Sequence, residues 1–391
     1  MLKKLLFLFL VFSSFAYAQQ VTLSNTAEIS VLTVGPGIPL VDSFGHSAFR
    51  INDPNNSLDV VYGYGEYDFD APNFYLKFAR GKLNYLLSKD DFSRFCQIYV
   101  YFNRTVKEQV LNLSQSEKQK LYDYLINNYK PENRGYLYEF FFDNCATRIK
   151  DVAKVSTDNN IEFNNPENFS PKTFRYLIYD NVNKNTWGSL GIDIALGAVI
   201  DREATPEEHM FLPENIYKFF DTATKKDGTA LVKKNNIIFT ERPTKTANHF
   251  FSSPLFILGL MALFILFITY KDSKAKKQTV WIDVFLFSFT GVVGICILFL
   301  WFATDHTGTH QNYNLLWAFV LNILMIGQLP KKKVKTWFIK YLKFLIIMLC
   351  LLTLHWIIGV QVFAIGLIPL LIALLIRYFY LVSYYKKSIA L

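Results

Sequence analysis

The chain is poor in cysteine: its 391 residues contain four, too few and too scattered for the disulfide framework of a small secreted domain. Two of them, Cys296 and Cys350, lie inside apolar runs. Charge is scarce as well, with 19% Asp, Glu, Lys and Arg against 51% hydrophobic and 17% aromatic residues. That balance excludes disorder and places part of the chain in lipid. No internal repeat or low-complexity linker is present, so the length reads as one sizeable globular domain plus several membrane spans.

The formal charge is +9, and its position decides its meaning. From Phe251 onward 13 Lys and Arg stand against Asp272, Asp283 and Asp305, leaving 28 basic and 29 acidic residues before that point. The surplus sits in short Lys clusters, 271–277 and 331–335, between apolar runs. Such clusters signal membrane topology, and no nucleic-acid partner is implied.

At the start of the chain Lys3-Lys4, an apolar run and Ala16-Tyr17-Ala18 read as a signal peptide over 1–18, cleaved after Ala18. No Cys follows the cut, so the protein is not expected to be a lipoprotein itself. Residues 19–248 then form an extracytoplasmic domain, and 249–391 a membrane domain. Apolar runs at about 254–270, 284–303, 313–329, 344–360 and 362–380 are each long enough to cross the bilayer and predict five helices. The last two are continuous, with Gly359-Val360-Gln361 as the expected turn. Five spans put every Lys cluster, Lys386-Lys387 included, in the cytoplasm, and the Lys- and Arg-free loop Thr304 to Asn312 outside. The expectation is a multi-pass protein of the inner (cytoplasmic) membrane with its domain facing the periplasm.

Within that domain, alternation around His46 to Ile51, turn residues from Asn52 to Ser57 and a second stretch from Leu58 to Tyr64 predict a β-hairpin. Ser114 followed by Glu117 predicts a capped helix ending near Lys130-Pro131. The segment from Phe140 to Asp151 fits strand or helix by periodicity, with 148–152 leaning helical.

Before Phe250 the chain offers two Cys and three His. Cys145 follows Phe140-Phe141-Phe142-Asp143-Asn144, where an apolar segment turns polar and becomes helix-like. A thiolate at a helix N-terminus, near Arg148, is favoured by the dipole and the cation, as a nucleophile requires. The plainer reading is a small core residue. His46, at the start of a strand between Gly45 and Ser47, is suited to serve as a general base, or is simply a satisfied polar residue. The two together make a Cys-His arrangement, for which chain order is immaterial. Counting across a turn centred near Pro54-Asn55 puts the residue opposite His46 around Tyr64, with Tyr62 on the same face. Tyr64 is therefore the expected orienting group, with Glu66 and Asp68 as competitors and an ordinary strand aromatic as the alternative.

Gly45-His46-Ser47-Ala48-Phe49-Arg50, the stretch from Pro72 to Lys82, Asn103-Arg104 and Asp143-Asn144-Cys145-Ala146-Thr147-Arg148 resemble the Lnb family of lipoprotein N-acyltransferases of Bacteroides-type bacteria. The resemblance covers nearly the whole chain. It implies an α+β, circularly permuted papain-like (NlpC/P60-like) domain, similar to the lecithin:retinol acyltransferase group, followed by an all-α bundle of five transmembrane helices. It also implies a transacylase with Cys145 as nucleophile and His46 as base. An acyl chain from a phospholipid donor would form a thioester, then pass to the α-amino group of a diacylglyceryl-cysteine lipoprotein acceptor. No cofactor is implied.

Candidate substrate contacts are Asn144 and Arg148 beside the Cys, and Lys77 and Arg80, which with Lys82 mix cations and aromatics in a lip suited to lipid headgroups. A solvated amphipathic face is the plainer reading of that lip. In the outer loop Asp305, His306 and His310 do not make a metal site, because two His four apart need a helix that Gly308 disfavours; His306 is expected to face the active site. His355 reads as a helix-packing residue, and Cys96 as a buried thiol not bonded to Cys145. The competing reading is a membrane-anchored Cys peptidase or amidase acting on cell-wall peptides, which five spans disfavour. A receptor or assembly factor, which would require His46 and Cys145 to lie far apart, is the third.

Overall fold

The computed structural model describes residues 21–67, 69–243 and 250–390. The expected signal peptide therefore lies outside the described residues, as does Asp68. The exported part is built on an antiparallel sheet with strand order β6-β4-β3-β2-β1-β5-β9. Its strands are β1 (Glu28–Val34), β2 (His46–Asp53), β3 (Leu58–Tyr67), β4 (Asn84–Asp91), β5 (Val106–Leu111), β6 (Gly135–Leu137) and β9 (Val232–Phe239), while β7 (Ile161–Glu162) and β8 (Thr224–Lys225) pair separately. Helices α1 (Phe74–Ala79), α2 (Phe92–Tyr101), α3 (Gln115–Tyr129), α4 (Cys145–Ser156), α5 (Phe174–Tyr179), α6 (Trp187–Ala195) and α7 (Pro213–Thr222) surround it.

Strand alternation divides the core in two. Val31, Phe49, Ile51, Tyr62 and Tyr64 pack with Leu121, Leu125, Ile149, Val152, Phe219 and Phe220 from α3, α4 and α7. Leu32, Val34, Ala48, Val61 and Val106 face the other way, against Phe95 and Tyr99 of α2. Each fully buried large side chain contributes roughly 1.5–3 kcal/mol by leaving water. The predicted hairpin is present, with Asp53 paired to Leu58 around a 3-10 turn at Pro54–Asn56. So is the capping box, in which Glu117 N–H donates to Ser114 Oγ at 3.3 Å and Ser114 N–H to Glu117 Oε2 at 2.7 Å.

Among the described residues four helices are long and apolar enough to cross a membrane: α8 (Pro254–Ala275), α9 (Val280–Phe302), α10 (Thr336–Ile357) and α11 (Ile368–Ala390). Between the last two the chain turns at Gly359, whose φ is 77°. The run at 313–329 differs from the expected helix. It consists of 3-10 turns at Tyr313–Leu316 and Ile326–Gln328 flanking a single helical turn, Asn322–Met325. Its asparagines are drawn to different partners: Asn314 Nδ2 donates to Asp193 O at 2.8 Å, and Asn322 Nδ2 to Thr290 Oγ1 at 2.8 Å. Its backbone presses on two glycines of α9, where a Cβ at Gly294 would lie 2.2 Å from Ala318 O and one at Gly291 2.5 Å from Ile323. Irregular backbone of this kind is tolerated at membrane depth only where protein covers it. A buried ion cluster pins the opposite end of the bundle, with Arg377 Nε and Nη2 donating to Asp283 at 2.6 and 2.9 Å and Nη1 to Asp272 at 2.8 Å.

Candidate active site

The segment before Cys145 is held from both sides. Glu139 and Asp143 exchange backbone hydrogen bonds, and Glu139 Oε2 accepts from the N–H groups of Phe141 and Phe142. Asn144 then caps α4: its Oδ1 accepts from Ala146 N–H at 2.8 Å and Thr147 N–H at 3.0 Å, while Nδ2 donates to Phe140 O and Phe211 O. Every polar group of that side chain is used inside the protein, so Asn144 positions the helix start and does not offer itself to a substrate. Arg148 is likewise engaged, donating to both oxygens of Asp143 and lying 4.5 Å over the Tyr136 ring.

Cys145 thus opens α4 with its sulfur turned toward the sheet. The N–H groups of Ser47, Ala146 and Cys145 itself point at it and favour the thiolate, as does the charge of Arg104. Burial opposes them and prevails, so the thiol is pushed above its ordinary pKa. This corrects the sequence-based expectation of a thiolate stabilised outright by the helix. The Ser47 contact has a topological origin: pairing of β2 with β3 runs from Asp53↔Leu58 to Ala48↔Gly63 and stops, and β3 bulges between Tyr64 and Glu66. The Cys sulfur takes the next N–H of β2 where the strands part.

His46 stands at the same opening. It pairs with Val34 of β1, and a Cβ placed on Gly63 would lie 3.1 Å from its Nε2. A Cβ on Gly65 would lie 3.9 Å from the Cβ of Cys145. Two glycines of β3 therefore leave room for the imidazole and the thiol-bearing side chain in turn. Gly45, at φ 81°, permits the entry into β2, since a Cβ there would meet Val34 O at 2.5 Å. Burial, aided by the charge of Arg104, lowers the His46 pKa to about 4. The thiol and the imidazole are thus both uncharged at neutral pH.

Tyr64 does not orient His46. Its side chain is in the core on the α3 face, with its hydroxyl donating to Asn128 Oδ1 at 2.6 Å. Tyr62 shares that face. Glu66 has no hydrogen bond to the imidazole among the described residues. Sequence reasoning also passed over Ser47, Gly63, Gly65 and Glu139; a Gly-x-Gly inside a strand is the signal that marked the close approach.

The membrane helices reach this region through the loop after α9. Thr307 Oγ1 donates to Glu139 Oε1 at 2.8 Å, and a Cβ on Gly308 would lie 2.7 Å from the Phe141 ring, so the loop braces the segment leading to Cys145. His306 is turned to α1, with Nε2 3.2 Å from Phe78 O, and not to the Cys. Asp305 N–H donates to Arg80 O and its carboxylate lies 3.6 Å from Lys82. The lip that carries Lys77 and Arg80 rests on this loop with Tyr75, Leu76 and Phe78 exposed. His310 contributes its carbonyl to the seam with Gly197, where a Cβ would clash at 1.9 Å. His355 stacks edge-on against Tyr313. Cys96 and Cys145 are both free thiols.

No curated protein and no solved structure matches the chain. Two family models do: one described as the Lnb N-terminal periplasmic domain matches residues 15–179, and one described as the Lnb transmembrane domain matches residues 245–388. With a folded domain braced on apolar helices and both parts matched in order, the chain belongs to the Lnb family, as a membrane protein with a periplasmic domain.

Proposed function

We propose that the protein is a lipoprotein N-acyltransferase of the inner membrane that carries its acyl group as a thioester on Cys145. What supports the reading is that a strand-borne His and a helix-opening Cys each approach a glycine of the same strand, Gly63 and Gly65 of β3, where its pairing with β2 ends, and that the membrane loop braces the segment leading to the Cys. In the first step His46 takes the thiol proton as the sulfur attacks an ester carbonyl of a phospholipid. The tetrahedral intermediate collapses, its C–O bond breaks, and the imidazolium returns the proton to the departing lysophospholipid oxygen. In the second, the α-amino group of a diacylglyceryl-cysteine attacks the thioester, His46 removes the amine proton, and the C–S bond breaks to restore the thiol. Both substrates are held in two dimensions beside the site, which supplies proximity and excludes water.

At neutral pH the His46 imidazole is unprotonated and so able to accept the thiol proton, although burial makes it a weaker base than an ordinary imidazole. On this reading the domain is a permuted papain-like fold, with the His strand before the Cys helix, and the segment at 313–329 is a fifth, largely non-helical crossing. Its start is bonded to α6 through Asn312 and Asn314, and its end lies at Leu329, whose carbonyl accepts from Tyr385 near the end of α11. Mass spectrometry of lipoprotein N-termini tests the function: cells lacking the protein, or carrying only Cys145→Ser, should show free α-amines where the wild type shows acyl amides. Unchanged N-acylation in both strains would move the assignment to a cell-wall hydrolase or a receptor.

A further inference from the structure

Arg104, in the segment between α2 and β5, is 5% exposed. Two parts of its guanidinium are committed: Nε donates to Gly35 O at 2.9 Å and Nη1 to Asp42 Oδ1 at 2.8 Å. Its plane lies 5.0 Å over the Tyr99 ring, on the α2 face of the sheet. The third part, Nη2, is buried with no hydrogen-bond partner among the described residues. A buried charged donor left unpaired carries a desolvation cost that a ligand acceptor would relieve.

The position of that donor is informative. Gly35 directly follows Val34, the cross-strand partner of His46, so the guanidinium is anchored one residue from the register position of the base. It acts through its charge on both His46 and Cys145, yet donates a hydrogen bond to neither. The sulfur already has its own backbone N–H groups. An unpaired guanidinium donor whose charge reaches both groups suits an anion bound near them. The loop it holds also carries Ile38 and Val41, 95% and 75% exposed, as an apolar edge beside the charged donor. On the acyl-transfer reading, the donor's own phosphodiester lies a few bonds from its ester carbonyls and is the anion every glycerophospholipid presents.

We propose that Arg104 Nη2 binds the phosphodiester of the phospholipid donor and so sets which lipids can place an ester at Cys145. This rests on the proposed transacylation, and the experiment separates the two. Acylation of Cys145 is followed in the full-length protein in detergent micelles, with dioctanoyl phosphatidylethanolamine and with dioctanoylglycerol, which has the same esters and no phosphate. Wild type should prefer the phospholipid by about tenfold or more in kcat/KM, the worth of one charge-assisted hydrogen bond. Arg104→Gln should bring that ratio near one whatever the lost charge does to the rate common to both donors, with folding checked by thermal unfolding in detergent; Arg104→Lys, with charge but no fork, should fall between. An unchanged ratio in Arg104→Gln, or an equal loss on both donors, overturns the assignment. Strong inhibition of wild type by inorganic phosphate would assign the group to free phosphate and overturn the lipid assignment. Absence of any acyl adduct on wild-type Cys145 would refute the transacylation beneath it.

Discussion

Gly63→Ala tests the seat of His46 with the smallest change available. The added Cβ would lie 3.1 Å from His46 Nε2, 3.3 Å from Ser88 Oγ and 3.9 Å from Ala48 Cβ, so the ring must give by a few tenths of an ångström. Stability should scarcely change, because relieving a strand of glycine gains roughly 0.5–1 kcal/mol, which offsets the crowding. Catalysis should respond more. A misplacement of about 1 Å costs on the order of a hundredfold, so a shift of a few tenths scales to roughly a four- to tenfold loss. Gly63→Val, whose branches project further toward the ring, should lose about a hundredfold or more on the same scale. The assay is the rate of acyl transfer to Cys145, read by intact-protein mass, alongside thermal unfolding in detergent. Wild-type rates in both variants, with the fold retained, would refute the placement of His46 as the base.

Other consequences follow from the same geometry. Asn144→Ala removes the cap of α4 and strands the carbonyls of Phe140 and Phe211, so it should lower unfolding stability by about 2–4 kcal/mol in a denaturation series. Because the folded-state pKa of His46 is lowered to about 4, the unfolded chain binds its proton first. Stability is then intact above pH ~6.5 and is lost as pH falls from there toward 4, by about 3 kcal/mol in total. The acid limb of the acylation rate should accordingly lie near pH 4; a limb near 6.5 would contradict the buried neutral imidazole. Arg377→Leu leaves Asp272 and Asp283 buried without their partner, and should cost about 3–5 kcal/mol in detergent unfolding while sparing the Cys145 chemistry once folded. Single cysteines introduced at Gln311 and Lys333, which flank the segment and are both exposed, should be labelled from opposite sides of the membrane; labelling from one side would exclude a crossing at 313–329.

The hairpin and the capped helix α3 were legible because their signals are local: alternation, turn residues, a Ser with a Glu three residues on. The cross-strand partner of His46 differs from the expected one by a slip of one residue. The loop holds four residues, Pro54 to Ser57, with Ser57 left-handed at φ 48°, so Asp53 pairs Leu58 and the register brings Gly65, not Tyr64, level with His46. A slip of one sends every side chain to the other face, which is how Tyr64 came to be read as an active-site group. The run at 313–329 was apolar enough to suggest a helix, but its path is fixed by side-chain anchors on α6 and α9 and by glycines on a different helix. Composition along one segment carries no record of those. Arg104 was visible only as part of a motif, since the contacts that commit two of its donors are 62 and 69 residues away in sequence.

On the proposed route Cys145 carries the acyl group. Purified full-length protein incubated with phospholipid should gain the mass of one acyl chain, released by neutral hydroxylamine and mapped to the peptide containing Cys145, with no adduct in Cys145→Ser and a strongly reduced one in His46→Ala. An adduct that maps elsewhere, or that persists in Cys145→Ser, would contradict the account.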